Sequence, residues 1–264
     1  MGGLRHDFID FNNHNLRTDV GLGKRYSPTT GRLGTVWSPS KMLSFYSQFS
    51  TGTDPLSGAL SLPSGSNTFT LTGGRQVEIG AKGLLPEVQG QWTVAAHRIA
   101  KDNLLSQDPA NPDITEQIGK RSSTGVEFAL SVEPMRDWSV AANLALLRVR
   151  YKNFNEQQDD GTLVSRSGNV PYGVPERTAN LWSTYRVTPQ WLAGVGAKYV
   201  GKVQSDTRNA THLPAYTLVN ALVTYAYSPK TTLTFSVSNL ANKAYALSGY
   251  GSYMWLLGTS ATCS

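Results

Sequence analysis

Cysteine is almost absent from this chain of 264 residues, whose one cysteine, Cys263, is the penultimate residue. A single thiol excludes an intramolecular disulfide and a cysteine-rich metal cluster. The chain also lacks any run of about 18 apolar residues, which excludes a transmembrane helix. Residues 1–7 contain no apolar stretch of the kind found in a secretory signal, so no signal peptide is predicted in this chain.

The excess of positive over negative charge is also small. The formal net charge is only +6, and the basic residues are scattered along the chain. No Lys/Arg cluster alternates with aromatic residues, so we expect no nucleic-acid partner. The four histidines are too far apart for the i, i+4 spacing of a zinc site: His6, His14, His97 and His212. The sequence therefore predicts no metal bound by protein ligands.

Catalytic signatures are missing as well. No serine lies in a G-x-S-x-G motif, and no cysteine is placed to act as a nucleophile. The acidic residues at 108–116 and Asp159-Asp160 do not form a calcium loop with alternating oxygen ligands, and we interpret them as exposed loop carboxylates. The sequence therefore predicts that the protein is not an enzyme.

Proline is present at regular intervals, in five turn-like segments about 40 to 55 residues apart. They lie at 38–41, 85–87, 133–137, 188–190 and 228–230. Between consecutive turns the chain follows one strand-like segment, a long polar stretch and a second strand-like segment. Short turns at one end and long loops at the other are typical of outer-membrane β-barrels.

Alternation of apolar and polar residues marks the strands, most clearly at 126–132, where Val126, Phe128, Leu130 and Val132 share one face. Several predicted strands exceed ten residues, and about 9 to 11 residues cross a bilayer when the strand is tilted. The pattern predicts strands near 2–12, 26–37, 42–51, 74–85, 91–102, 121–133, 137–151, 176–187, 190–202, 214–227 and 230–239, with another beginning near 254.

The stretches between these strands are long and rich in Gly, Ser, Asn, Asp and Pro. We predict structureless connections, and connections of this length are usually functional or disordered. They lie at 13–25, 52–73, 103–120, 152–175, 203–213 and 240–253. The predicted fold is all-β: an antiparallel transmembrane β-barrel portion of roughly 11–12 strands.

Tryptophans begin the strands that follow short turns, as Trp92, Trp138 and Trp191 show, and Tyr225 and Tyr227 end another strand. Aromatic residues at strand ends form the interfacial girdles of membrane barrels. The same residues could instead pack at strand ends in a soluble core. Together with the unequal lengths of turns and loops, their positions favour the girdle.

Residues 237–245, VSNLANKAY, closely resemble the V-x-N-L-x-D/N-K-x-Y segment near the C-terminus of TonB-dependent receptors, with Val237, Asn239, Leu240, Lys243 and Tyr245 at the matching positions. Further short segments match in the family's order: 4–7 (G-x-R-Y/H-D), 27–34 (P-R-x-G), 43–47, 76–82 (E-x-G-x-K), 125–127 (G-x-E), 174–175 and 213–217. The resemblance covers essentially the whole chain, residues 1–264, as one barrel domain.

This resemblance implies a 22-stranded, plugged transporter that carries ferric siderophores across the Gram-negative outer membrane. The segment 249–255 is most similar to the ferric-hydroxamate, ferrichrome-like branch. In this family loop aromatics grip the siderophore and the siderophore holds the iron, so no cofactor is expected. The implied candidates are Tyr245, Tyr250, Tyr253 and Trp255, although these residues could also belong to the upper aromatic girdle or pack between loops.

The chain departs from the family pattern at both ends, since the plug, the energy-coupling box and a final aromatic-ended strand are not found in it. We therefore expect the C-terminal half of the barrel, truncated at both ends, with TonB contacted through the missing N-terminal region. Such a half-barrel would sit in the outer membrane against lipid, but its two open edges would keep it from transporting alone.

Three alternatives remain at this stage. A soluble β-propeller or sandwich that acts as a binding module has repeats of similar length, although a propeller needs four short strands in each repeat. A passive porin-like barrel would share the unequal turns and loops. An enzyme is the weakest alternative, because no catalytic set is assembled.

Overall fold

The structure, a computed structural model, describes residues 1–16, 19–54, 70–108, 111–158, 162–250 and 254–263. Within these ranges nothing is said of the side chains at 13, 15, 20, 22, 105–108, 111–118, 157 and 250. Strands dominate the described chain: β1 Gly2–His6, β2 Ile9–Asn15, β3 Val20–Tyr26, β4 Thr29–Ser40, β5 Leu43–Asp54, β6 Thr72–Leu85, β7 Gly90–Asp108, β8 Asn111–Met135, β9 Trp138–Asn153, β10 Asn155–Gln157, β11 Leu163–Ser165, β12 Arg177–Arg186, β13 Trp191–Val200, β14 Val203–Gln204, β15 His212–Leu213, β16 Tyr216–Ser228, β17 Thr231–Ser238, β18 Ala246–Tyr250, β19 Met254–Leu257 and β20 Thr262–Cys263.

One antiparallel sheet holds twelve of these strands, in the order β1-β4-β5-β6-β7-β8-β9-β12-β13-β16-β17-β20. Each strand pairs with the next sheet strand along the chain, which is the up-and-down order of a barrel wall. The predicted 11–12 strands are confirmed, and the four-stranded blades of a propeller are not present in the described residues. No helix among the described residues is long and apolar enough to span a membrane.

All five proline-marked segments lie at short turns at one end of the sheet, as predicted. Three of them enclose only two residues, and in one of these Met135 pairs with Trp138 and Asp137 adopts φ 67°, in the left-handed region. The turn after β6 is a single 3-10 turn, Pro86–Val88. We call this end of the sheet the turn end, and the opposite end the loop end.

The connections at the loop end are not structureless, which corrects the prediction. Four of them, those predicted at 13–25, 152–175, 203–213 and 240–253, contain two-stranded hairpins of their own: β2–β3, β10–β11, β14–β15 and β18–β19. The predicted strand 2–12 breaks after His6, and its second half forms the hairpin β2–β3 instead of joining the sheet. The strand predicted near 254 is β19, and the next sheet strand is the short β20 at Thr262–Cys263.

Strand also extends into the other two predicted connections. Residues predicted as a loop at 103–120 extend β7 to Asp108 and begin β8 at Asn111. Most of the connection predicted at 52–73 lies outside the described residues, although β5 continues to Asp54 and β6 starts at Thr72. Alternation weakens in these stretches, so the sequence pattern ends before the ladder of hydrogen bonds does.

Large apolar side chains cover one face of the sheet and are exposed. The register places on this face the members Leu33, Phe49, Val77, Ile79, Val94, Val126, Leu144, Leu146, Leu181, Val195, Val223, Leu233 and Phe235. A continuous exposed apolar face would be strongly unfavourable in water, whereas it matches the lipid-facing band of a membrane barrel. We call it the outer face.

Polar side chains alternate with these residues and occupy the opposite, inner face. Glu78 lies opposite His97 in the register, and Asn143 lies opposite Asn180, whose Nδ2 donates to Asn143 Oδ1 over 2.8 Å. Trp182 also lies on this face and covers Gly196, where a Cβ atom would clash with its ring. Apolar-out and polar-in alternation is the pattern of a barrel whose lumen is polar.

Aromatic residues of the outer face gather at the turn end. Trp191 and Tyr225 pack with ring centroids 4.6 Å apart, and Trp37 stacks on Phe45 at 5.6 Å. Trp138 Nε1 donates to Ser183 Oγ over 2.8 Å. These positions match the predicted interfacial girdle, since an amphipathic ring is most stable where lipid meets water.

Candidate functional site

Buried side chains are concentrated at the loop end rather than within the sheet. They belong mostly to a loop layer, which we define as the hairpins β10–β11, β14–β15 and β18–β19 together with residues 166–176. Its buried residues and those directly beneath it are Tyr151, Phe154, Glu156, Arg166, Pro171, Val200, Ser205, Asp206, Thr207, Leu213, Asn239 and Ala246. The best-packed part of the described chain is therefore its loops.

A small apolar cluster supports this layer where β9 leaves the sheet. The Tyr151 and Phe154 rings lie 4.9 Å apart and Leu104 packs against them. Backbone hydrogen bonds then hold the returning chain, since Gly168 N donates to the carbonyl of Tyr151 and Arg166 N donates to that of Phe154. The aromatic pair fixes the position from which hairpin β10–β11 projects.

Glu156 is the central anion of the loop layer, and its side chain is only 3% exposed. Arg166 Nε donates to Glu156 Oε2 over 2.5 Å, and Thr207 Oγ1 donates to Oε1 over 2.6 Å. Gln158 Nε2 donates a longer bond of 3.3 Å. Burying a carboxylate is costly unless it is paired and hydrogen-bonded, and here both conditions are met. The carboxylate therefore ties hairpin β10–β11 to hairpin β14–β15.

A second clasp joins residues 166–176 to hairpin β14–β15 through Asn209. Its side chain accepts a hydrogen bond from Val170 N over 2.8 Å and donates one to the Val170 carbonyl over 2.7 Å. Asn169 Nδ2 donates to the Thr207 carbonyl over 2.9 Å. Asn209 has φ 61°, a conformation that asparagine tolerates better than most residues. These bonds hold the loops in one arrangement with little help from apolar packing.

Asp206 organises the turn between β14 and β15. Its carboxylate accepts hydrogen bonds from Ala210 N over 3.0 Å and from Thr211 N over 2.8 Å, and Thr211 Oγ1 donates to it over 2.5 Å. Burial acts to raise the pKa of Asp206, but these hydrogen bonds outweigh it and the pKa lies below its usual value. The folded turn therefore favours the charged carboxylate.

Acid is expected to loosen this turn. Since the folded pKa is lowered, the charged Asp206 stabilises the turn fully above the unfolded pKa of 3.8, and that stability is lost as the pH falls through the lower folded pKa. We expect amide exchange in residues 203–213, corrected for intrinsic rates, to quicken below about pH 4. Asp206→Asn should abolish this acid step, while Asp10→Asn in the exposed hairpin β2–β3 should keep it. An unchanged acid step in Asp206→Asn would contradict the assignment.

The third hairpin, β18–β19, packs on the second. Gly249 approaches Leu213 and Ser205 so closely that a Cβ atom at Gly249 would lie 3.0 Å from Leu213 Cδ2 and 3.2 Å from Ser205 Cβ. Ala246, at the start of β18, is buried as well. The three hairpins thus form one connected layer over the loop end.

The motif segment 237–245 forms the turn that carries the chain from β17 into this layer. The buried Asn239 side chain accepts from Lys243 N over 2.9 Å and donates to the carbonyls of Lys243 and Thr259, each over 3.0 Å. Leu240 N donates to the Val219 carbonyl over 2.7 Å, and Val237 pairs with Ala221 in the sheet. Hydrogen bonds within the turn therefore fix the side chain of Asn239 and the backbone of Lys243.

The four predicted ligand-binding aromatics lie in different environments. Tyr245 is half-buried, packs on Tyr216 with ring centroids 4.6 Å apart, and covers Gly258. Trp255 pairs with Gly249 across the hairpin and is 46% exposed. The Tyr250 backbone ends β18, its side chain is not described, and Tyr253 lies outside the described residues. Trp255 is the described member with an open ring surface.

Sequence reasoning missed the polar network of the loop layer. Glu156, Arg166 and Thr207 are 10 and 51 residues apart along the chain, so no local spacing links them. A weak signal existed at 206–211, where Asp, Asn and Thr are residues that favour turns stabilised by side chains. Among the described residues no group of three or more His, Cys, Asp or Glu side chains could hold a metal ion.

Several known proteins are similar in sequence to this chain. The chain is 27% identical over 236 residues to the probable TonB-dependent siderophore receptor PiuA of Acinetobacter baumannii, covering 85% of this chain and 31% of that protein. It is 28% identical over 258 residues to the ferrioxamine B receptor of Salmonella typhimurium, covering 93% and 34%. It is 26% identical over 195 residues to the ferrichrome outer membrane transporter/phage receptor of Escherichia coli, covering 71% and 25%. The chain therefore spans about a quarter to a third of these relatives.

The fold comparison agrees with the sheet topology. The crystal structure of the siderophore receptor PiuA from Acinetobacter baumannii matches with a TM-score of 0.83 at 23% identity, over 99% of this chain and 39% of that one. Residues 1–240 match the family described as "TonB dependent receptor-like, beta-barrel", which covers all but one of the twelve sheet strands. The chain belongs to the family of TonB-dependent receptor-like β-barrels.

Proposed function

We propose that this chain forms barrel wall and outer loops of a transporter for ferric siderophores in the Gram-negative outer membrane, crossing it with multiple strands. Family membership of residues 1–240 is the observation that carries the proposal. The exposed apolar outer face supports a position in lipid, and the polar inner face supports a water-accessible lumen. Uptake would draw energy from TonB through chain outside residues 1–264, and residues 1–264 alone would not transport.

The loop layer is the proposed siderophore-binding surface. Its buried ion pair and asparagine clasps pre-organise the loops, and pre-organisation lowers the entropic cost of binding. Tyr245, Tyr250, Tyr253 and Trp255 would supply aromatic contacts to the siderophore. The iron would be cargo held by the siderophore, so we propose no protein-bound cofactor or metal, no catalytic step and no nucleic-acid partner.

Loss of the Trp255 ring is expected to weaken siderophore binding by about tenfold, since removing an aromatic anchor costs more than about 1.4 kcal/mol. The measurement is the Kd for ferrioxamine B, ferrichrome and one ferric catecholate. It is made in detergent on the complete receptor that contains residues 1–264. Trp255→Ala is compared with Trp37→Ala, whose ring lies at the turn end and is 65% exposed against 46% for Trp255.

The Trp37 variant should change the Kd by less than about twofold, because its ring lies at the opposite end of the strands. A hydroxamate preference would support the ferrichrome-like branch. Failure of all three ferric siderophores to bind the unaltered protein would contradict the proposed function, and equal effects of the two variants would contradict the role of Trp255.

A further inference from the structure

Charged residues are unevenly distributed over the inner face of the sheet. Strands β4 to β8 place both signs of charge on it, as shown by Arg32, Glu78 and Glu127. Strands β9, β12, β13, β16 and β17 contain no aspartate or glutamate. Alternation places two of their basic residues, Arg186 and Lys198, on the inner face. The inner face therefore has a charged half on β4 to β8 and a neutral half on these five strands.

The two cations of the neutral half lie towards its ends. Arg186 is the last residue of β12 at the turn end, and its Nε lies 3.7 Å from Asp137 Oδ1. Lys198 lies opposite Asn180, nearer the loop end, and is exposed. The part of the neutral half between these two rows carries uncharged side chains.

Trp182 gives this part of the wall an aromatic surface. Its ring lies over the backbone of Gly196 and reaches Gly194, where a Cβ atom would lie 3.1 Å from Trp182 Cζ2. The ring is only half-buried, so the part that is turned away from β13 is open to the lumen. Trp182 lies four residues from the end of β12. At about 3.3 Å per residue and a tilt of about 40 to 45°, it is about 9 to 10 Å above the turn end, within the thickness of the membrane.

Neutral hydrogen-bonding groups flank this ring. Asn180 Nδ2 donates to Asn143 Oδ1 over 2.8 Å, which leaves Asn180 Oδ1 and Asn143 Nδ2 without a partner among the described residues. Thr184 follows Trp182 by two residues on the same face, and the hydroxyls of Thr224 and Thr234 lie 3.2 Å apart. We call the following residues the neutral strip: Asn143, Asn180, Trp182, Thr184, Thr224 and Thr234.

We propose that an uncharged ferric hydroxamate contacts the neutral strip as it passes from the loop layer towards the turn end. This inference rests on the proposed function and adds a substrate class and a surface inside the barrel. Three hydroxamate groups carry one negative charge each and together neutralise Fe³⁺, whereas three catecholate groups carry two each and leave three negative charges. The neutral strip offers no counter-charge to the second kind of complex, so it suits the first.

The groups of the neutral strip match the chemistry of such a ligand. Amide and hydroxyl side chains exchange hydrogen bonds with hydroxamate and amide groups, and the Trp182 ring stacks on planar groups of the ligand. An uncharged complex also passes here without stripping water from a charged wall residue, which would be costly. Each contact is weak, as a transit surface requires, because a ligand that is held tightly at one place leaves it slowly.

The test compares Thr184→Trp with Thr93→Trp in the complete receptor that contains residues 1–264. Both threonines are half-buried on the inner face, two or three residues from the turn end of their strands, but Thr93 lies opposite Lys82 in the charged half. The measurements are the uptake of iron-labelled ferrichrome by cells at saturating concentration and the Kd of the purified receptor for ferrichrome. Heat-modifiability on gels checks that each variant is folded.

Thr184→Trp should lower the uptake by about tenfold and Thr93→Trp by less than about twofold, while the Kd of both variants stays within about twofold of that of the unaltered receptor. Equal losses of uptake in the two variants would overturn the inference, and so would no loss in Thr184→Trp. Either result with ferrichrome binding intact leaves the proposed function standing. Failure of the unaltered receptor to bind ferrichrome would instead contradict the hydroxamate branch of the proposed function, and this inference with it.

A second pair of variants changes charge instead of bulk and replaces the first pair if Thr184→Trp does not fold. Thr184→Lys and Thr93→Lys are compared for the uptake of ferrioxamine B, which has a free ammonium group, and of ferrichrome, which has none. Thr184→Lys should lower the uptake of ferrioxamine B relative to ferrichrome by about fivefold, because like charges repel, and Thr93→Lys should leave this ratio within about twofold. An unchanged ratio in Thr184→Lys would overturn the inference.

Discussion

Replacing Glu156 with alanine is expected to release the loop layer while the sheet beneath it stays folded. The change leaves the Arg166 guanidinium buried without its carboxylate and removes the acceptor of Thr207. Removing one partner of a buried ion pair typically costs about 3–5 kcal/mol. We expect hydrogen exchange of residues 162–176 and 203–213 to accelerate by about two to three orders of magnitude, and siderophore affinity to fall with it.

Two further variants distinguish this ion pair from a general effect of charge. Glu87→Ala removes an exposed acid from a short turn and should change stability by less than about 0.5 kcal/mol. The double variant Glu156→Leu/Arg166→Met should recover much of the loop protection, because a buried pair can often be replaced by apolar side chains of similar size. Unchanged exchange in Glu156→Ala would show that the clasps at Asn169 and Asn209 alone hold the layer.

Residues 1–264 expressed without any further chain are expected to fail to form a stable barrel in lipid. Within the described sheet, β1 pairs only with β4, and β20 pairs only with Val237 and Ser238 of β17. Within the described sheet, residues 231–235 of β17 therefore have a neighbouring strand on one side only, and the backbone N–H and C=O groups on their other side have no ladder partner. Each such group costs several kcal/mol in hydrocarbon, so the sum exceeds the stability of an ordinary domain.

The measurement is refolding into lipid vesicles, followed by gel mobility with and without heating and by protease resistance. Complete PiuA from Acinetobacter baumannii serves as the closed-barrel control. We expect a heat-modifiable, protease-resistant band for the control and none for residues 1–264. A resistant species of residues 1–264, as monomer or as a dimer whose edges pair between copies, would contradict the expectation.

Local patterns were sufficient to predict the sheet. Alternation and proline-marked turns are local properties, because a strand's side chains change face at every residue and a short turn is fixed by a few residues. The segments beginning at Trp138 and Trp191 therefore appear as β9 and β13 within a residue or two of the predicted bounds. The strand predicted at 2–12 failed because alternation continues past His6, where the chain leaves the sheet for hairpin β2–β3.

The loop layer could not be predicted in the same way. Glu156 meets Thr207 across 51 residues of sequence, and nothing near either residue marks it as buried. The same holds for Arg98, Arg148 and Arg177, which come from three strands and converge only through the register of β7, β8, β9 and β12. Contacts of this kind depend on which strands lie side by side, which alternation alone does not specify.

The sequence by itself determined the fold class, the number of strands in the sheet, the end at which the short turns lie and the family to which the chain belongs. Only the tertiary structure decided which polar residues are buried together and which aromatics keep an open face. The physical reason is the range of the interactions: alternation and turn chemistry act over a few residues, whereas burial and electrostatic pairing depend on neighbours that the folded sheet brings together.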